Sequence, residues 1–149
     1  MTKTPMEIAL EEAISANAND EVPVGAVIVK DGKMIAKACN LTHKKFDPTG
    51  HAEMRAIRMA CEMLQSERLA DCDLYVTLEP CTMCAAAISF ARIRRLYFAT
   101  GDEKGGAVEH GVHFFNQPTC HHRPEVYSGL GERRASQLLK NFFAGKREE

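Results

Sequence analysis

Two short stretches carry residue types that can do chemistry together: Gly50-His51-Ala52-Glu53-Met54 and Thr77-Leu78-Glu79-Pro80-Cys81-Thr82-Met83-Cys84. Cys81 and Cys84 are spaced so that both thiols fall on one side of a helical first turn. The amides at a helix start favour thiolate over thiol, as does a metal. A lone C-x-x-C reads equally as a redox pair, half of a structural zinc site, or chance. A redox pair belongs near the first βα unit of a thioredoxin-like pattern, which is absent here. A structural zinc site needs four protein ligands. His51 supplies a third. Cys39, Cys120 and the late histidines are the remaining candidates for a fourth, and none has a paired spacing. With His51, Cys81 and Cys84 on one zinc ion per chain, a fourth position stays open for water, whose pKa falls to ~7. A base must then take the water's proton and pass it to the leaving group. Glu53, beside His51 without being an obvious ligand, is that candidate. Alone, Glu53 would read as a first-turn acid and His51 as a satisfied helix-start histidine.

Several elements must position these groups. Residues 6–17 place Met6, Ile8, Ala9, Leu10, Ala13 and Ile14 close to helical spacing, with Thr4, Pro5 and Glu7 as a capped start. Val24-Gly25-Ala26-Val27-Ile28-Val29 is a continuous apolar run, expected of a strand buried on both faces. Asp31-Gly32 is a two-residue hairpin signal, so residues 33–39 return as a second strand. Residues 40–50 read as a loop rich in turn formers, and Thr49 as the cap of a helix over residues 51–64. Residues 74–78 form a strand stopped by Pro80, residues 82–92 a helix, residues 93–99 a strand and residues 130–144 a last helix. Residues 107–127 show no period. Strands alternating with helices predict an α/β fold with part of its sheet parallel.

The bulk numbers set bounds. A chain of 149 residues suits one domain with an ordinary core, and 45% hydrophobic with 26% charged residues is the balance of a globular protein. No apolar run approaches the ~20 residues of a membrane span. The acidic start at Glu7, Glu11 and Glu12 is unlike a signal peptide, so a cytoplasmic protein is expected. The formal net charge of −1 argues against a non-specific nucleic-acid binder, and the clusters Arg92/Arg94/Arg95 and Arg133/Arg134 read as solvated faces. Six cysteines without a secretory signal read as reduced thiols, with Cys39, Cys61 and Cys72 acting as small hydrophobes.

His51-Ala52-Glu53 followed by Pro80-Cys81-Thr82-Met83-Cys84 completes the H-x-E…P-C-x-x-C signature of zinc deaminases. The reaction it names is hydrolytic deamination, in which water adds to an amidine-like ring carbon and ammonia leaves. Beyond that signature the chain resembles the bacterial tRNA-specific adenosine deaminases of the cytidine-deaminase superfamily. The resemblance rests on Glu21-Val22-Pro23-Val24-Gly25-Ala26-Val27, Asp47-Pro48-Thr49, Leu74-Tyr75-Val76-Thr77-Leu78-Glu79-Pro80-Cys81, Ala91-Arg92-Ile93, Asp102 with Lys104-Gly105-Gly106-Ala107, His122-Arg123 and Phe142-Phe143. It covers nearly the whole chain. The zinc motifs identify only the superfamily, and the 102–107 loop and C-terminal helix are the discriminating parts.

The resemblance implies a cytidine-deaminase-like three-layer α/β/α fold with a mixed five-stranded sheet, working as a homodimer. It implies conversion of the wobble adenosine to inosine in the anticodon loop of an arginine tRNA with an ACG anticodon. Glu53 would be the catalytic acid/base. Asn40 and Ala52 would contact the flipped nucleoside, and Asp102, Lys104 and Phe143 the surrounding RNA, with Lys146 and Arg147 left of a basic tail. The sequence departs from family habit at Gly50 and Gly101, where Ala and Arg are frequent, and at Ala144 and Gly145. Two other readings share the zinc motifs: a free-base or nucleoside enzyme such as a guanine or cytidine deaminase, and a non-catalytic, zinc-containing RNA-binding subunit.

Overall fold

The computed structural model describes residues 3–148, with side chains described through Lys146. The order is α1 (Pro5–Ala18), β1 (Gly25–Lys30), β2 (Lys33–Cys39), α2 (Ala52–Leu64), β3 (Cys72–Leu78), α3 (Thr82–Ala91), β4 (Arg95–Thr100), a 3-10 turn (Phe114–Asn116), β5 (Glu125–Ser128) and α4 (Glu132–Glu148). The strands form one sheet in the order β2-β1-β3-β4-β5. β1 runs antiparallel to both β2 and β3, while β3, β4 and β5 run parallel. The mixed sheet expected from the alternation of elements is therefore present.

Helices cover both faces. Ala26, Ile28, Leu74, Val76, Leu96 and Phe98 pack with Ala52, Ala56 and Ala60 of α2 and Ala85 and Ile88 of α3. The intervening Val27, Tyr75, Tyr97 and Ala99 pack with Met6, Ala9 and Leu10 of α1 and Ala135 of α4. Neighbouring strand residues point to opposite faces, so burial on both is what makes β1 read as an unbroken apolar run. Gly25 permits the closest of these approaches, since a Cβ there would lie 2.0 Å from the Ala9 carbonyl oxygen.

Local signals explain most boundaries. Thr4 and Glu7 form the capping box that starts α1. Asp31 and Gly32 both take positive φ and close the β1–β2 hairpin, which carries a register shift between Ile28 and Val29. Two expectations need correction. Thr49 does not cap α2: its hydroxyl and amide both turn back to Asp47 Oδ1 (2.7 and 2.9 Å), and His51 holds the N-cap position. Residues 107–128 are not wholly irregular. β5 joins the sheet edge beside β4, but its four residues, mostly exposed, leave no periodic trace. No helix among the described residues is long and apolar enough to cross a membrane.

Candidate active site

The site is assembled from two helix starts. His51 and Cys81 occupy the N-cap positions of α2 and α3, both in extended backbone, and neither side chain caps its own helix. A Ser or Asp there would turn inward to bond the first amides. The imidazole and thiol leave that task undone and project away from the helix. Cys84 follows in the first turn of α3. His51 Nδ1 lies 3.6 Å from both Cys81 Sγ and Cys84 Sγ. The three donor atoms fall within 4.8 Å of one another, and no further metal-ligating side chain belongs to the group among the described residues. Neither Cys39 nor Cys120 joins it. Cys120 donates instead to the His122 carbonyl at 3.1 Å.

The donor set fits zinc. Zn–S bonds of ~2.3 Å and a Zn–N bond of ~2.0 Å at a tetrahedral angle separate sulfur from nitrogen by ~3.5 Å, close to the spacing of these donors. The electrostatics agree. Cys81 falls to about 4, first through the Cys84 thiol and then through His51 and the Cys84 amide, while Cys84 is driven upward by the same pair contact and by burial. Two thiols this close resist double ionisation, and a dication among them removes the conflict. His51 is raised, chiefly by its contact with Cys81. Three ligands, rather than four, match the open geometry of a catalytic centre.

Glu53 stands in the first turn of α2 and is 4% exposed. Burial pushes its carboxyl up to about 7, with the thiolate character of Cys81 adding to the shift. A carboxyl poised near neutral pH both accepts and returns protons, as a general acid/base must.

The structure joins Asn40 and Ala52 to one another: the Ala52 amide donates to Asn40 Oδ1 at 2.7 Å. The side chain thus satisfies the first orphan amide of α2 from outside the helix, the task that His51 leaves undone. It also fixes Asn40 beside His51, and among the described residues its NH2 has no hydrogen-bond partner.

Two buried carboxylates that pattern reasoning missed hold the flanking loops. Glu21, fully buried, accepts from the amides of Thr42, His43 and Lys44 and from the Thr42 hydroxyl, at 3.0–3.3 Å. Burial alone would raise it, but these donors hold it below the usual carboxylate range. Glu79, next to Pro80-Cys81, accepts from the amides of Asp102, Val108, Glu109 and His110 at 2.9–3.1 Å. His110 Nδ1 donates to it at 2.6 Å. Glu79 is likewise lowered against the pull of burial, and His110 is raised, chiefly by this bond. In the sequence both appear only as letters of the resemblance, Glu79 directly after β3 and Glu21 in the turn ahead of β1.

The remaining candidates gather on the Glu79 side. Asp102 closes an Asx turn, its Oδ1 accepting from Lys104 and Gly105 at 3.1 and 2.9 Å, and the Lys104 side chain is exposed. Phe143, 44% exposed, stacks edge-on against Phe142 and lines a cavity of about 310 Å³ with Thr100 and Gly101. The side chain of Arg147 lies outside the described residues. The Arg92/Arg94/Arg95 cluster is spent locally: Arg94 grips both oxygens of Asp73 at 3.0 Å, Arg95 reaches Glu125 and Arg92 bonds the Ser89 carbonyl.

Residues 1–100 match the cytidine and deoxycytidylate deaminase zinc-binding region. The chain is 64% identical over 142 residues to the tRNA-specific adenosine deaminase of Agrobacterium fabrum, covering 95% of this chain and 93% of that protein. It is 47% identical over 145 residues to the protein of the same name from Haemophilus influenzae, covering 97% and 84%. A chain solved in work on A-to-I editing by tRNA:A34 deaminases at the wobble position superposes with a TM-score of 0.90 at 64% identity, over 91% of this chain and 98% of that one. A guanine deaminase from Bacillus subtilis superposes with a TM-score of 0.64 at 44% identity, over 68% and 66%. The paired helix starts, their zinc-matched donors and this breadth of similarity lead to one conclusion: the chain belongs to the cytidine and deoxycytidylate deaminase zinc-binding family, in its tRNA-specific adenosine deaminase branch.

Proposed function

We propose that residues 1–149 act as one deaminase domain that converts adenosine to inosine at the wobble position of tRNA, with an arginine tRNA bearing an ACG anticodon as substrate. The observation that carries this is the open His51/Cys81/Cys84 group with buried Glu53 beside it, in a chain so similar to the Agrobacterium fabrum enzyme. A zinc ion held by those ligands supplies the Lewis acidity that makes water a nucleophile at neutral pH. Glu53 takes one proton from the water attacking C6 of adenine and hands it to the ring nitrogen, then takes the second from the hydroxyl now on C6 and hands it to the departing amino group, so that the C6 carbonyl forms and ammonia leaves. Asn40, anchored on the Ala52 amide, offers its NH2 to the nucleoside, and Ala52 walls the base pocket. Asp102, Lys104 and Phe143 hold nucleotides beside the target.

An anticodon loop already splays its bases, so extruding one adenosine costs less than in a duplex. The protein works in the cytoplasm as a homodimer. Support for pairing comes from Met63 and Phe90, exposed by 62% and 73% on α2 and α3. Purified protein incubated with the ACG arginine tRNA, and separately with guanine, cytidine and adenosine, tests the reading. Inosine at the wobble position is expected. Ammonia from guanine with untouched tRNA would replace it with a free-base deaminase.

A further inference from the structure

Phe46 has no role in the reaction described so far, and its placement calls for one. It is 93% exposed, the most exposed of the large hydrophobic side chains among the described residues. Its φ is +50°, a left-handed backbone that costs a non-glycine residue free energy. A floppy loop would relax such a residue, but this loop is pinned. Glu21 holds the amides of residues 42–44, the Phe46 amide donates to the His43 carbonyl at 3.2 Å, and the Asp47 amide to the Thr42 carbonyl at 2.9 Å. The ring is therefore held out into solvent on a rigid support. That support runs between Asn40 and His51, so both its ends are rooted in the candidate active site.

The charges around the ring are mostly positive. Lys44 and Lys45 precede it, and both are exposed. Beside it, Lys45, Arg55 and Arg58 line a groove of about 420 Å³ and outnumber its two acids, Asp47 and Glu62. An aromatic platform next to a positively charged groove is the arrangement by which proteins hold unpaired nucleotides, the base on the ring and the phosphates along the groove.

We propose that Phe46 and this groove bind an unpaired nucleotide of the RNA other than the one deaminated, its base stacked on the Phe46 ring and its phosphate against Lys45 and Arg58. The proposal rests on the tRNA reading and adds a second contact area, on the Asn40 side of the site rather than on the Asp102 side. The chain contains no tryptophan, so Phe46→Trp creates a single fluorescent reporter at the platform.

Deamination of an ACG anticodon stem-loop is measured for the wild type, Phe46→Ala and Phe46→Trp. Binding of the same stem-loop carrying inosine at the target position, which cannot react further, is followed by the tryptophan emission of Phe46→Trp. Expected are a KM raised about tenfold in Phe46→Ala with kcat within twofold, recovery in Phe46→Trp, and quenching of the tryptophan emission by RNA. An unchanged KM in Phe46→Ala overturns the proposal, as does emission that ignores bound RNA. A lower sedimentation mass for Phe46→Ala overturns it too, since the ring would then seat against a second copy of the chain. A wild type that leaves the stem-loop untouched while quenching persists sinks the functional reading but not the surface.

Discussion

The two loops that flank the zinc ligands, residues 40–50 and 101–110, are built by one device with one difference. Each wraps its amides around a single buried carboxylate projected from elsewhere in the fold, Glu21 for the first and Glu79 for the second. Among the described residues Glu21 is matched only by neutral donors, three amides and a hydroxyl. Glu79 adds the imidazole of His110, and it sits one residue from the Pro80-Cys81 turn. The first loop is thereby fixed at every pH at which Glu21 is ionised. The second is tied to a titrating group and, through the chain, to a metal ligand. A buried anion needs its donors more than the donors need it, so both loops close around their carboxylates rather than drifting over the surface.

The largest separation between the loops comes from deleting the anchors. Glu79→Ala orphans four amides and His110, and is expected to cost about 4 kcal/mol in denaturant-induced unfolding. Glu21→Ala, with one fewer amide to orphan and no imidazole, is expected to cost about 3 kcal/mol. Equal losses would mean that the His110 contact adds nothing. Next comes Gly106→Ala. A Cβ there would lie 2.5 Å from the Glu79 carboxyl and from the Asp102 carbonyl oxygen, so about 2 kcal/mol of stability should be lost, with amide exchange accelerated in the second loop alone.

Between these and the smallest effect lies pH. His110 is raised above 6.5 by Glu79, so its contribution is complete below pH 6.5 and disappears as pH rises through the raised value. Glu21 and Glu79 are both lowered, so their contributions are present above pH ~4.5 and are lost only on acidification below it. From pH 6.5 to 9, after correction for intrinsic exchange, protection of the amides of residues 108–110 should fall while that of residues 42–44 holds. Parallel behaviour of the two segments would erase the distinction. The smallest test is Thr42→Val, which removes one hydroxyl donor from Glu21 and leaves its amide donors in place. It should cost about 1 kcal/mol.

The contrast also marks how far the sequence can be read. The donor group was legible because zinc chemistry fixes spacing: Cys81 and Cys84 on one helical turn and His51 at the start of another, with Glu53 two residues beyond it. The Asp31-Gly32 hairpin and the doubly buried β1 were legible because local conformation and burial leave local patterns. The resemblance supplied the number of strands and the three layers, whereas β5 left no trace of its own. Glu21 and Glu79 were not recognised as anchors, because a buried acid looks like any other acid until its distant amide partners are known. The same blindness assigned the start of α2 to Thr49. A hydroxyl near a helix start is the usual cap, but here the metal ligand takes the N-cap position and Asn40 reaches across the loop to do the capping. Phe46 passed as a loop residue because exposure cannot be read from identity.

The central claim is that His51, Cys81 and Cys84 hold one zinc ion while Glu53, outside that set, moves the protons. Glu53→Gln keeps the size and the first-turn position of the side chain but removes its acid/base capacity. Zinc content per chain and the rate of inosine formation in the ACG arginine tRNA, measured together for the wild type and Glu53→Gln, test it most directly. One zinc per chain in both proteins, with the rate down by a factor of about 10² to 10⁴ in the variant, is the predicted result. Near-normal inosine formation by Glu53→Gln, or loss of its zinc, would contradict the account.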